Sequence, residues 1–198
     1  MDCAKKIASL VAVILCLSGT VEAQRHASFR WRGFYSAIGG AYAFNLNRGA
    51  DINGVADTVV GYELQISCGY QFSRAAGVGI GVNYLHDANG VFNLLPTYVE
   101  LRSHFMRTEL TPYTVLQVGY NIPLGAATET VKVEKGGLYF GASIGARYSF
   151  SKNAAIGLHG GYQLINLHNV SRSDGEGNPL LSDVSTLSIV NAGLTLYF

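Results

Sequence analysis

From Leu138 to Phe150 the chain alternates strictly. Leu138, Phe140, Ala142, Ile144, Ala146, Tyr148 and Phe150 fall on one parity. Tyr139, Gly141, Ser143, Gly145, Arg147 and Ser149 fall on the other. Successive side chains of a strand point to opposite faces, so this period predicts a strand with one apolar side. It is longer than the five or six residues of an ordinary strand.

The pattern recurs. Val60 to Phe72 sets Tyr62, Leu64, Ile66, Cys68, Tyr70 and Phe72 against Glu63, Gln65, Ser67, Gly69 and Gln71. Residues 76–84, 98–105, 114–122 and 155–164 repeat it, and 34–44 and 188–198 complete a set of eight strands. No amphipathic helix is written between them. Short links follow Phe72, Phe105 and Phe150. Longer, more polar links span Asn45–Thr58, Asp87–Gly90, Pro123–Gly136 and His168–Asp183. Strands joined this way form an antiparallel up-and-down meander, and eight of them close into a barrel without a free edge. The expected fold is therefore all-β, a single eight-stranded antiparallel barrel.

Which face points inward separates two barrel classes. A soluble binding barrel packs its apolar side chains inside; a transmembrane barrel turns them outward. The second face carries Glu63, Glu100, Arg102, Arg147, His104, His159, Gln65, Gln117 and Asn121 with about a dozen glycines. Glycine plus ionised groups makes a poor lipid pocket but suits the crowded lumen of a small transmembrane barrel. Unpaired strand edges cannot be hydrated in hydrocarbon, so a spanning sheet must close. The strands also meet or approach the roughly 9–11 residues of a tilted span. Aromatic residues gather on the apolar parity, several near strand ends, where girdles mark membrane interfaces.

Residues 1–23 differ in kind. Lys5 and Lys6 precede an apolar run from Ile7 to Leu17, and Val21-Glu22-Ala23 supplies small residues at a cleavage position. This is the pattern of a secretory signal peptide, cleaved before Gln24, and the run falls short of the roughly 20 residues of a membrane helix. The barrel domain is then 24–198. Cys3 and Cys16 leave with the signal, so Cys68 stands alone and no internal disulfide forms.

Only 14% of the residues are charged, and 14 basic against 13 acidic residues give a net charge of +1. That balance offers no surface for nucleic acid. Apolar and aromatic content excludes disorder. The five histidines lack metal-site spacing, so no metal and no cofactor is expected.

The alternating last strand places Val190, Ala192, Leu194, Leu196 and Phe198 on the apolar face. In this the sequence resembles the bacterial outer-membrane β-barrel class, whose members end in an aromatic residue that the barrel assembly machinery reads. Leu95-Pro-Thr-Tyr-Val-Glu-Leu-Arg102, Leu110-Thr-Pro-Tyr113 and Gly119-Tyr-Asn121 look like the small porin-like or opacity-type barrels common in Bacteroidetes. The resemblance implies export through the periplasm to the outer membrane of a Gram-negative cell envelope. It implies Phe198 as assembly signal, membrane lipid and lipopolysaccharide as surroundings, periplasmic short turns, and longer loops facing outward toward an extracellular ligand.

The lumen residues Glu63, Glu100, Arg102, Arg147, Gln65, Gln117 and His159 admit two readings. One is a polar pore lining, giving a narrow channel for small solutes. The other is an internal network with Arg102 and Arg147 as cationic partners, since buried charges must be paired. An eight-stranded barrel is only wide enough for its side chains to fill, which favours the network and a structural or adhesive role played by the loops. An enzyme acting on lipid or lipopolysaccharide needs a nucleophile, base and orienter together. His168, Ser171, Asp174 and Glu176 lie near one loop, but there is no G-x-S-x-G elbow, so no enzyme is expected. Cys68 is read as a small apolar filler.

Overall fold

The computed structural model describes residues 32–46, 60–87, 93–124, 131–151, 153–173 and 179–198. The expected signal peptide, 1–23, lies outside them, as do most of the Asn45–Thr58 loop, residues 88–92 and Asp174 and Glu176.

The described residues form nine strands: β1 (Gly33–Asn45), β2 (Val60–Ser73), β3 (Ala76–Asp87), β4 (Asn93–His104), β5 (Leu110–Pro123), β6 (Val131–Lys135), β7 (Leu138–Ser149), β8 (Ala155–Ser173) and β9 (Pro179–Tyr197). Every pairing is antiparallel between neighbours, and β1 pairs with β9 to close the sheet. β6 and β7 lie against the same strand, β8, so they form one stave with a break at Gly136-Gly137. The molecule is a closed eight-stranded antiparallel β-barrel.

The register fixes its geometry. A walk from Gly33 across the strands passes Gln71, Gly77, Arg102, Val115, Ser143, Gly161 and Asn191 and returns to β1 at Ala43. The path comes back ten residues beyond its start. That stagger makes the strands tilt, by roughly 35–45° in barrels of this kind.

Parity decides what faces out. Phe34, Leu138, Ile144, Leu158 and Ile80 are 90%, 66%, 64%, 63% and 62% exposed, and most other outward positions of the wall are apolar, with Ser36, Thr97, Ser103 and Thr114 among the exceptions. Inward, Glu63, Glu100 and Arg102 are buried. An apolar surface running round the whole barrel is far larger than a water-soluble monomer exposes. Most staves have 12–14 residues, enough for the roughly 9–11 of a tilted span.

Three elements differ from the sequence expectation. The Pro123–Gly136 link holds β6, because the chain already descends along β8 from Val131, before a bulge at Gly136-Gly137. A Cβ on Gly136 would lie 1.7 Å from the Asn121 carbonyl oxygen, so only glycine admits that approach. The His168–Asp183 link is largely strand: β8 and β9 run 19 residues each and pair from Ala155↔Tyr197 to Ser173↔Pro179. β4 starts at Asn93, five residues before the expected start, despite Pro96. The β3–β4 ladder runs to Val82↔Thr97 and resumes at Leu85↔Leu94. Pro96 lies in this gap and has no N–H to give.

The interior is layered. Towards the loop end lies an apolar cluster of Leu85, Leu94, Ile165, Leu167, Leu187 and Ile189, with Tyr98 and Tyr139 beneath. Towards the turn end lies a smaller one that includes Tyr113, Val115 and Tyr197. Polar side chains fill the space between and around them. Glycines make room for the large rings: a Cβ on Gly81 would meet the Tyr98 ring at 2.6 Å.

Candidate functional site

All seven expected lumen residues project into the barrel, because each sits on the inward parity of its strand. They form two groups rather than one.

The turn-side group centres on Arg102 of β4. Its Nη2 donates to Glu100 Oε1 at 2.8 Å, and both side chains are nearly inaccessible. Tyr35 Oη donates to the same oxygen at 2.7 Å. The guanidinium carbon stands 4.8 Å from the centre of the Tyr35 ring and 4.9 Å from that of Tyr197. Arg102 therefore reaches from β4 to the first and last strands and is held between their rings by cation–π contact. Arg147 packs on Tyr197 at 4.8 Å and donates to His104 Nε2 at 3.2 Å. His159 meets Thr195 Oγ1 through Nδ1 at 3.3 Å.

The loop-side group centres on Glu63 of β2. Gln163 Nε2 donates to both carboxylate oxygens at 3.0 Å, and Asn191 Nδ2 donates to Oε2 at 2.9 Å. Asn83 Nδ2 donates to Oε1. Tyr98 Oη donates to Asn83 Oδ1 at 3.0 Å, which orients that amide, and Tyr139 Oη donates to Gln117 Oε1 at 2.8 Å. Gln65 hydrogen-bonds Tyr98. Beside Glu63 lies a cavity of about 10 Å³, bordered also by Gln65, Gln117, Ser143, His159 and Asn191.

Glu63 and Arg147 share the lumen, yet they are not brought together. Glu63 takes its hydrogen bonds from amides, and Arg147 works at the turn end. The residues that complete both groups escaped the sequence reading: Tyr35 and Tyr197 around Arg102, and Asn83, Gln163 and Asn191 around Glu63. Inward parity was their signal. Tyrosine and asparagine on that parity look like filler until a charged partner is seen beside them.

Elsewhere the chemistry is sparse. Among the described residues no group of three His, Cys, Asp or Glu side chains is placed to hold a metal ion. His104 points inward while its neighbour Ser103 lies on the opposite face. His168 is exposed on the outside of β8, and Cys68 is exposed on the apolar wall. Phe198 is 43% exposed and pairs with Ser36 through two backbone bonds, at 2.9 and 3.1 Å.

No family model matches the chain, and no curated protein matches it. Solved structures do. The outer membrane protein OprG from Pseudomonas aeruginosa aligns with a TM-score of 0.59 at 14% identity, over 86% of this chain and 98% of that one. The fold is that of the small outer-membrane β-barrels. Neisserial surface protein A aligns similarly, with a TM-score of 0.53 at 17% identity over 83% of this chain and 97% of that one. Like these outer-membrane barrels, the chain closes eight staves into one wall. Identities this low carry the architecture and leave the activity to be argued from this chain's own residues.

Proposed function

We propose that this protein is an integral outer-membrane barrel with a structural or surface-binding role carried by its loop end. The observation that carries the reading is the contrast between the two faces of one wall. The outside is a largely apolar surface, and the inside is packed with polar groups, many of them hydrogen-bonded to one another. In this reading the apolar wall meets membrane lipid and lipopolysaccharide, the turns with Arg74, Arg107 and Glu109 face the periplasm, and the loops face outward toward an extracellular ligand. Phe198, outward and paired at the seam, serves as the signal for the assembly machinery. The opacity-type, Bacteroidetes-like resemblance stands on Leu95 to Arg102, Leu110 to Tyr113 and Gly119 to Asn121.

A narrow channel is the second reading. Against it stand the apolar plug of Leu94, Ile165, Leu167 and Leu187, the Arg102 sandwich, and a lumen cavity only large enough for about one water. An enzymatic role would have to use the Thr195 hydroxyl beside His159 Nδ1, and both side chains are buried inside the barrel.

Fractionation with gel mobility of boiled and unboiled protein tests the membrane assignment. A heat-dependent shift in the outer-membrane fraction is expected. Recovery from the soluble periplasm without a shift would overturn it. Planar-bilayer recording then tests the closed lumen: reproducible conductance steps would restore the channel. Mass analysis of lipopolysaccharide from cells with and without the protein tests for an enzyme, and no difference is expected.

A further inference from the structure

We infer that the cavity beside Glu63 is a binding site for one monovalent alkali cation of sodium or potassium size. The first observation is the carboxylate itself. Glu63 is 3% exposed, and its four hydrogen bonds all come from amide N–H groups of Asn83, Gln163 and Asn191. Four hydrogen bonds from amides match the acceptor-only character of an ionised carboxylate. Amide dipoles orient that charge but do not neutralise it, and a buried charge needs a partner of opposite sign.

No cation of the chain fills that place among the described residues. Arg102 is already neutralised by Glu100. Arg147 packs on Tyr197, and Tyr197 follows Asn191 by six positions on β9, about 20 Å of extended strand.

The second observation is an oxygen with nothing to accept from. Asn191 is 5% exposed, and its Nδ2 is committed to Glu63. Its Oδ1 is buried without a donor and faces Gly161, where a Cβ would stand 2.6 Å away. Glycine at 161 thus leaves open the space that this oxygen borders. Both residues line the cavity, whose volume of about 10 Å³ admits a single water-sized body.

Glu63 and Asn191 thus border one small polar space. That donor set suits a hard cation of low charge. Calcium often draws on several carboxylates, and transition metals favour imidazole or thiolate, so a single carboxylate with the neutral oxygens of Asn191, Gln65, Gln117 and Ser143 around the cavity suits an ion of single charge. This inference concerns the lumen alone, and its failure would leave the membrane assignment untouched.

The test uses full barrel refolded from denaturant into detergent micelles with rubidium, sodium or choline chloride at matched ionic strength. Crystals grown from the rubidium sample should show an anomalous peak beside Glu63 and Asn191, absent in Glu63→Gln. The thermal midpoint should be several degrees higher in sodium or rubidium than in choline, because an ion that binds only the folded state stabilises it by mass action. Glu63→Gln and Gly161→Ala should both lose this dependence, the second while keeping the carboxylate. Equal midpoints in all three salts, or a peak with no anomalous signal, would overturn the site, since water alone would then occupy it. A protonated-carboxyl band in the infrared spectrum, lost in Glu63→Gln, would overturn it as well.

Discussion

Replacing Arg102 by methionine removes the guanidinium while keeping most of its length and volume. Glu100 then keeps only the Tyr35 hydroxyl on Oε1, and its Oε2 has no donor to begin with. Removing one partner of a buried pair costs about 3–5 kcal/mol, because the other charge stays behind uncompensated. Loss of contact with two desolvated rings adds up to about 2 kcal/mol each, part of which the thioether recovers. A loss of about 4–6 kcal/mol is therefore expected for Arg102→Met. The double variant Glu100→Leu, Arg102→Met removes the stranded charge. It should be more stable than Arg102→Met by at least about 2 kcal/mol, since a buried pair replaced as a unit by apolar residues is often near neutral. Urea unfolding in phospholipid vesicles, followed by circular dichroism and the heat-dependent gel shift, gives each value by linear extrapolation. If Arg102→Met lies within about 1 kcal/mol of the parent, or the double variant is no better than it, the pairing does not hold the barrel and the reasoning fails.

Other outcomes follow from the same wall. Val118, 56% exposed near the middle of β5, should tolerate arginine poorly, at about 2–4 kcal/mol in bilayers, whereas arginine at Leu110, 58% exposed at the turn end, should cost about 0–1. Equal costs at the two heights would remove the membrane from the explanation. Gly136→Ala should destabilise by about 1–3 kcal/mol through overpacking and speed amide exchange in Val131–Lys135 before the rest of the wall; unchanged exchange there would show that the bulge does not need glycine. Leu94→Ala, at a side chain with no exposed surface, should cost about 2–5 kcal/mol, and a smaller loss would mean that the loop-end plug is loosely packed.

Much of this architecture is written in parity. One-sided alternation in residues 138–150 and 60–72 depends only on strand geometry, so it survives without knowledge of any neighbour. β6 was illegible for the opposite reason. Val131–Lys135 is too short to show a period, and Gly136-Gly137 reads as a turn until β8 is seen beside it. The start of β4 was hidden by Pro96, which is tolerated because a gap in the β3–β4 ladder absorbs its missing donor. In the lumen, the inward residues were readable one by one, but their partnerships were not. Glu63 and Arg147 carry opposite charge and the same parity, which suggested a shared network. Register and tilt send them to different heights, and that depends on the stagger of the whole barrel.

The long hairpin β8–β9 gives the rim a high side. Its strands exceed the 12–14 residues of most others by five to seven, which is roughly 15 Å of height at about 3.3 Å per residue and the usual tilt. In the orientation proposed above, this hairpin stands furthest out among the described residues. A first encounter would then be read by one ribbon, held stiff by cross-strand pairing up to Ser173↔Pro179. Recognition at this end would then begin on the ribbon's own cross-strand pairs, on one side of the barrel mouth.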